Sequence, residues 1–187
     1  MSEVTAVPLR PVGKSGVAAL WIGIAVLLAA GVGGAMWATN AAVNSAMPAP
    51  EFLAKNGKRS GVVTTPSGLE YQVLQGGAGA KPTPADVVQI DYDGRLTNGE
   101  AFDSSAKTGG PVVFPVAGLV PGFTEALQLM PKGAKYRIWI PPQLGYKADE
   151  KRDPATGKVV IPANSVLVFD ITMHDFGPMP AGAMPGM

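Results

Sequence analysis

The chain has 187 residues, 47% hydrophobic and 16% charged, with a formal net charge of +1, no cysteine and a single histidine, His174. Without cysteine there are no disulfides and no thiolate metal ligands, and one histidine excludes a multi-histidine metal centre. Glu3, Arg10 and Lys14 are the only charged residues before position 51. The remainder is charge-balanced and has no basic run, which argues against nucleic acid as a partner.

The stretch 16–38, GVAALWIGIAVLLAAGVGGAMWA, carries no charge over 23 positions. A helix of that length reaches roughly 34 Å, enough for a hydrocarbon core of about 30 Å. Trp21 and Trp37 stand near its ends, where amphipathic rings prefer the interface. Arg10 and Lys14 precede it and no charge follows until Glu51. The positive-inside rule then predicts a cytoplasmic N-terminus at 1–15 and a single-pass inner-membrane anchor at 16–38. Everything that follows becomes periplasmic or extracytoplasmic. The competing reading is a cleaved signal peptide, whose apolar core is ordinarily only about 7–15 residues long. Residues 39–61 show no sustained periodicity and read as a flexible linker. The Pro/Gly/Met-rich stretch 177–187 reads as a disordered tail, which leaves 62–176 as the globular domain.

Strand patterns dominate that domain. LEYQVLQ (69–75) alternates and runs into glycines at 76–79. In DVVQIDYDGRL (86–96), Val88, Ile90 and Tyr92 share one face, while Gln89, Asp91 and Asp93 share the solvated one. TNGE (97–100) holds Asn-Gly, a strong hairpin signal. KYRIWI (135–140) sets Tyr136, Ile138 and Ile140 against Lys135, Arg137 and Trp139, and VLVFDITMHDF (166–176) aligns Leu167, Phe169, Ile171 and Met173. One segment has helical spacing instead: Phe123, Ala126, Leu127 and Met130, with Pro121 at the start and Pro131 and Gly133 at the stop. The expected class is α+β, an antiparallel sheet half-wrapped around one short helix.

Within GEAFDSSAKTGG (99–110) stands Asp103, an acid in a turn-rich stretch. The serines and lysine after it match S-x-x-K (Ser104, Lys107) and K-T-G (107–109). In penicillin-recognising enzymes, however, those motifs lie on distant elements, each with its own lysine. Nucleophile-elbow, zincin and phosphate-loop motifs are absent. Tyr92, Phe102, Phe114, Phe123, Tyr146 and Phe169 are spread over every major segment. With Leu119, Val120 and Ile161 they are open to two arrangements, an ordinary core or one shared apolar concavity. Asp103, and Tyr146 after a Pro-Pro turn, add the polar minority typical of a ligand pocket.

The stretches SGLEYQVLQGGAGAKPTPADVVQIDYDGRLTNGEAFDSS, GLVPGFTEALQLMPKGAKYRIWIPPQLGY and IPANSVLVFDITM, in that order, resemble the FKBP-type peptidyl-prolyl cis/trans isomerases, and among them the membrane-anchored or exported bacterial type. The resemblance covers about 67–175. It implies an apolar cup for the substrate proline, walled by Tyr92, Phe102, Leu119, Val120 and Phe169, with Phe123 as floor and Ile161 at the rim. Phe114 joins the same cup as a substrate-binding residue. Asp103 takes the place of the pocket carboxylate, Tyr146 that of the tyrosine whose hydroxyl bonds a substrate carbonyl, and the Val120 N–H would anchor another carbonyl. The residues counted as catalytic are thus Asp103, Tyr146 and Val120, with no metal and no cofactor. Phe123 stands where tryptophan is common, Val112 where many members carry an aromatic residue, and Lys147 where glycine is usual. The charged loop 147–158 is longer than usual.

The implied activity is rotation about X-Pro bonds in exported polypeptides. The barrier is about 18–20 kcal/mol and arises from amide resonance, so it needs no nucleophile to cross. Asp103 has two readings: it orients the substrate electrostatically, or it braces the pocket by hydrogen bonds, the second being preferred. Proline-containing polypeptides are the implied partners and macrolide inhibitors candidate ligands; the membrane is contacted through the N-terminal helix. The alternatives are a non-catalytic chaperone or binding module using the same cup, and a membrane protein whose C-terminal domain only docks a partner.

Overall fold

The structure, a computed structural model, describes residues 47–179. The apolar stretch 16–38, and with it the expected anchor, lies outside the described residues, as does the tail from 180 onward. Among the described residues no helix is long and apolar enough to cross a membrane.

Helix α1 (Ala49–Asn56) comes first, then strands β1 (Val62–Thr64), β2 (Glu70–Gln75), β3 (Asp86–Leu96), β4 (Ala101–Ser104) and β5 (Val112–Pro115). Helix α2 (Pro121–Leu129) follows, then β6 (Lys135–Ile140), the short β7 (Lys151–Arg152) and β8 (Val159–Ile161), and the long β9 (Leu167–Pro178). The main sheet is antiparallel, in the order β1-β2-β6-β9-β3-β4, and β5 also pairs with β3. Strand β3 pairs with β9 from Asp86↔Pro178 to Leu96↔Leu167. Its other edge is shared between β5, along Val87–Ile90, and β4, along Asp93–Arg95. The register shifts at Gln89/Ile90 and at Gly94/Arg95. Such bulges increase the local twist of a strand, and here the twisted sheet wraps around α2.

The alternation read from the sequence matches the packed face. Val88 and Ile90 on β3, Ile138 and Ile140 on β6, and Leu167 and Ile171 on β9 are fully or almost fully buried. Phe123, Ala126 and Leu127 form the buried stripe of α2, at the spacing of one helix face. Its first turn lies so close to β6 that a Cβ on Gly122 would sit 2.6 Å from Ile140 Cγ2. The Asn-Gly hairpin forms as expected: Leu96 N–H bonds Glu100 O at 2.8 Å, and Gly99 takes a positive φ of 89°.

The structure differs from the sequence expectations at three points. Residues 49–56, placed inside a flexible linker, form α1. Pro50 stands in its first turn, Glu51 complements the N-terminal dipole and Lys55 the C-terminal one. The helix is tied down by Asn56, buried, whose Nδ2–H donates to the buried Glu70 carboxylate at 2.7 Å. Among the described residues there are accordingly two α-helices where the domain was expected to hold one. Trp139, set with Lys135 and Arg137 opposite Ile138 and Ile140 on β6, is nevertheless only 3% exposed, and it lines a cleft of about 370 Å³ with Phe52 of α1, Arg137 and Asp170. The domain also runs past 176: Gly177 and Pro178, counted in the tail, pair with Val87 and Asp86. Within the loop 147–158, Lys151–Arg152 forms β7, which pairs antiparallel with β8.

Candidate functional site

Five aromatic rings from five elements meet on the packed face of the sheet. Phe169 of β9 is one hub: its ring meets Phe123 of α2 edge-on at 5.0 Å between centroids and Phe102 of β4 edge-on at 5.4 Å. Tyr92 of β3 is the other, 6.3 Å from both Phe123 and Phe169 and 6.0 Å from Phe114 of β5. Edge-to-face contacts at these separations are the favoured geometry for aromatic pairs. The burial is graded. Phe123 and Phe169 are buried at 6% and 7% exposure, while Tyr92, Phe102 and Phe114 keep part of their surface open to solvent. The result is an aromatic cluster whose innermost rings are buried and whose outer rings are partly exposed.

The remaining sequence-identified residues join the same apolar cluster: Leu119, Val120 and Tyr146 partly buried, Ile161 buried at 5%. Leu119 and Val120 lie on the loop that enters α2, with Val120 as its N-cap residue. That loop is fixed by Thr124, whose hydroxyl donates to Val116 O at 2.8 Å, and by Val116 N–H, which donates to Asp86 O at 2.9 Å. Tyr146 follows a 3₁₀ turn at Pro142–Leu144, and the turn after it is closed by Lys147 N–H donating to Pro142 O. Lys147 has φ of +55°, the left-handed region that costs a side chain about 1–2 kcal/mol and suits glycine.

Asp103 is held in place from two sides. The Tyr92 hydroxyl donates to its Oδ2 at 2.8 Å, and Ser104 N–H donates to its Oδ1 at 2.9 Å. Lys107 Nζ lies 3.7 Å from Oδ1 and donates to Phe102 O at 2.9 Å, which folds the 105–108 turn back on β4. The acid in turn acts on the tyrosines. Burial first, then the hydrogen bond and charge of Asp103, push the Tyr92 hydroxyl far above the usual phenol range. Burial and the Asp103 charge also raise Tyr146. Both hydroxyls are therefore neutral donors at any physiological pH.

One residue that the sequence reading passed over shapes the hollow. A Cβ on Gly94 would fall 2.7 Å from Phe169 Cε1 and 2.8 Å from Phe102 Cε2. The absence of a side chain there is what lets the two rings meet edge to face. Its signal was the glycine inside the β3 pattern, YDGRL, since a glycine within a strand often marks a close approach. Asp91 and Asp93, read as solvated, are indeed on the opposite face, where Asp91 pairs with His174 at 2.7 Å and Asp93 with Arg95. Among the described residues no cluster of three metal-ligating side chains occurs.

The partly exposed rings present an apolar surface beside the Tyr146 side chain and the loop of Leu119 and Val120. Residues 78–174 match the family model described as FKBP-type peptidyl-prolyl cis-trans isomerase, and 35–73 match the domain amino terminal to it. An FKBP-type peptidyl-prolyl cis-trans isomerase, FkpA, of Aeromonas hydrophila is 45% identical over 132 residues, 71% of this chain and 47% of the relative. The outer membrane protein MIP of Legionella longbeachae is 41% identical over 64% of this chain and 49% of its own length. The chain thus spans about half the length of the curated relatives it matches. The crystal structure of FkpA from Escherichia coli superposes with a TM-score of 0.64 at 34% identity, covering 90% of this chain and 75% of that one. The chain belongs to the FKBP-type peptidyl-prolyl cis-trans isomerase family.

Proposed function

We propose that the chain is a peptidyl-prolyl cis/trans isomerase acting on exported polypeptides, with the aromatic hollow as its active site. The observation that carries this reading is the cluster of five rings, in which Phe123 and Phe169 are buried and Tyr92, Phe102 and Phe114 are partly exposed. A pyrrolidine ring fits such a cup by shape and polarity. The planar amide is more charge-separated than the twisted one, so its transfer from water into an apolar site raises the ground state more than the transition state. The Tyr146 hydroxyl and the Val120 N–H serve as donors to substrate carbonyls on either side of the rotating bond. Asp103 acts as a brace: its oxygens are engaged by Tyr92 and Ser104, which supports the holding role over contact with substrate.

In this reading the stretch 16–38 anchors the chain in the inner membrane with residues 1–15 in the cytoplasm, and the isomerase domain works on the extracytoplasmic side. The charge pattern around that stretch supports it. The Legionella relative bears the name of an outer membrane protein, so exported relatives exist. Uncatalysed prolyl isomerisation takes about 10–100 s at 25 °C and limits folding, which gives an exported isomerase its use. Turnover of a Leu-Pro peptide, followed by its cis/trans relaxation, tests the reading. Phe102→Ala and Tyr146→Phe are expected to lower kcat/KM, and unchanged rates in both variants would contradict it. Peptide binding without turnover would make the cup a non-catalytic binding module.

A further inference from the structure

The insertion 147–158 brings a cation to the mouth of the cup. Lys151 opens β7, and its register partner in β8 is Ile161, a residue of the cup's own apolar cluster. Backbone pairing therefore fixes where Lys151 starts. Its side chain then reaches Tyr146, with Nζ 4.7 Å from the ring centroid, a cation–π contact beside the hydroxyl read as a substrate donor.

Glu150, Glu100, Asp153 and Asp103 are engaged elsewhere, and the exposed Asp149, two residues before Lys151, forms no ion pair with it. Glu150 pairs with Arg152, and Glu100 lies 3.9 Å from Lys158. Asp153 accepts from Ala155 N–H, Thr156 N–H and the Thr156 hydroxyl. Asp103 is taken by Tyr92, Ser104 and Lys107. Lys151 thus stands at the rim with an aromatic face beneath it and no ion pair to a carboxylate of the described residues.

We propose that Lys151 is a specificity-determining residue that favours substrates with Asp or Glu immediately before the proline. This rests on the isomerase reading of the cup. The residue before the proline owns the carbonyl of the rotating amide, so its side chain leaves the cup on the Tyr146 side, where the ammonium waits. A basic residue at that position meets the same ammonium as a like charge.

The test measures kcat and KM for peptides Ala-Xaa-Pro-Phe with Xaa as Glu, Leu or Lys, using the full chain in detergent. At low salt the Glu peptide is expected to exceed the Lys peptide in kcat/KM by about fourfold, the scale of one partly exposed ion pair, with the difference in KM. Lys151→Gln should bring the ratio near unity, Lys151→Arg should keep it, and 0.5 M salt should erase it in the wild type. Equal Glu and Lys rates in the wild type, or a ratio that Lys151→Gln leaves intact, would overturn the proposal while Leu-Pro turnover leaves the isomerase reading standing. No turnover of any peptide would overturn both.

Discussion

The Tyr92 hydroxyl donates to Asp103 Oδ2 across 2.8 Å, joining the central strand β3 to the neighbouring β4 at the wall of the aromatic hollow. Hydrogen bonds to charged groups contribute about 1.5–3 kcal/mol, more than neutral ones. We therefore expect Tyr92→Phe and Asp103→Ala each to lower stability by about 1–2 kcal/mol, and the double variant to cost less than their sum. Urea unfolding of the four proteins measures the coupling. Strict additivity would contradict the bracing role of Asp103.

Gly94 has space for no side chain. Gly94→Ala should displace the Phe102 and Phe169 rings and destabilise the domain by about 1–3 kcal/mol, as overpacked cores do. Because those rings line the cup, kcat/KM for a Leu-Pro peptide should fall as well. Thermal unfolding and the relaxation assay check the two effects separately, and a variant with wild-type Tm would refute the close-approach argument.

The sheet's outer face is acid-sensitive. The hydrogen bond from His174, then that from Ser105, holds the Asp91 carboxyl below its usual value of 3.8. A depressed carboxylate pKa adds stability that is complete above the unfolded-state value and is lost as pH falls through the folded one. Wild-type stability should thus decline below about pH 4, and Asp91→Asn should flatten that decline. Urea midpoints between pH 2.5 and 6 read it. A decline equally steep in Asp91→Asn would count against the pair.

Lys147 carries a backbone conformation ill suited to its side chain. Its φ of +55° predicts that Lys147→Gly gains about 0.5–1 kcal/mol, the left-handed penalty less the added chain entropy of glycine. A lower Tm in that variant would show that its side chain holds the turn in some other way.

Much of this arrangement was legible in the sequence because the strands alternate cleanly. Val88, Ile90, Ile138 and Phe169 fall on the packed face that their spacing gave them. The candidate site residues came from the family resemblance carried by IDYDG, AFDSS and LVFD, and they fall in one apolar cluster of the structure. What stayed hidden was set by tertiary contact. Helix α1 spans only 8 residues, too few for a periodic signal, and it is secured by Asn56 on Glu70. Trp139 is likewise buried on a face whose other members are charged. The hairpin of Lys151 with Ile161 was likewise invisible in a stretch of charges, since backbone pairing there does not depend on apolar alternation.

The central claim is that the five-ring cup, and not another hollow, receives the proline. A groove of about 680 Å³ lies elsewhere, between α1 and the loops around Asn98 and Ala163. Amide chemical-shift mapping during titration with a Leu-Pro peptide distinguishes the two directly. The largest changes are expected at Gly94, Phe102, Val120 and Tyr146. Changes confined to Leu53, Asn98 and Ala163, with the cup silent, would contradict the account.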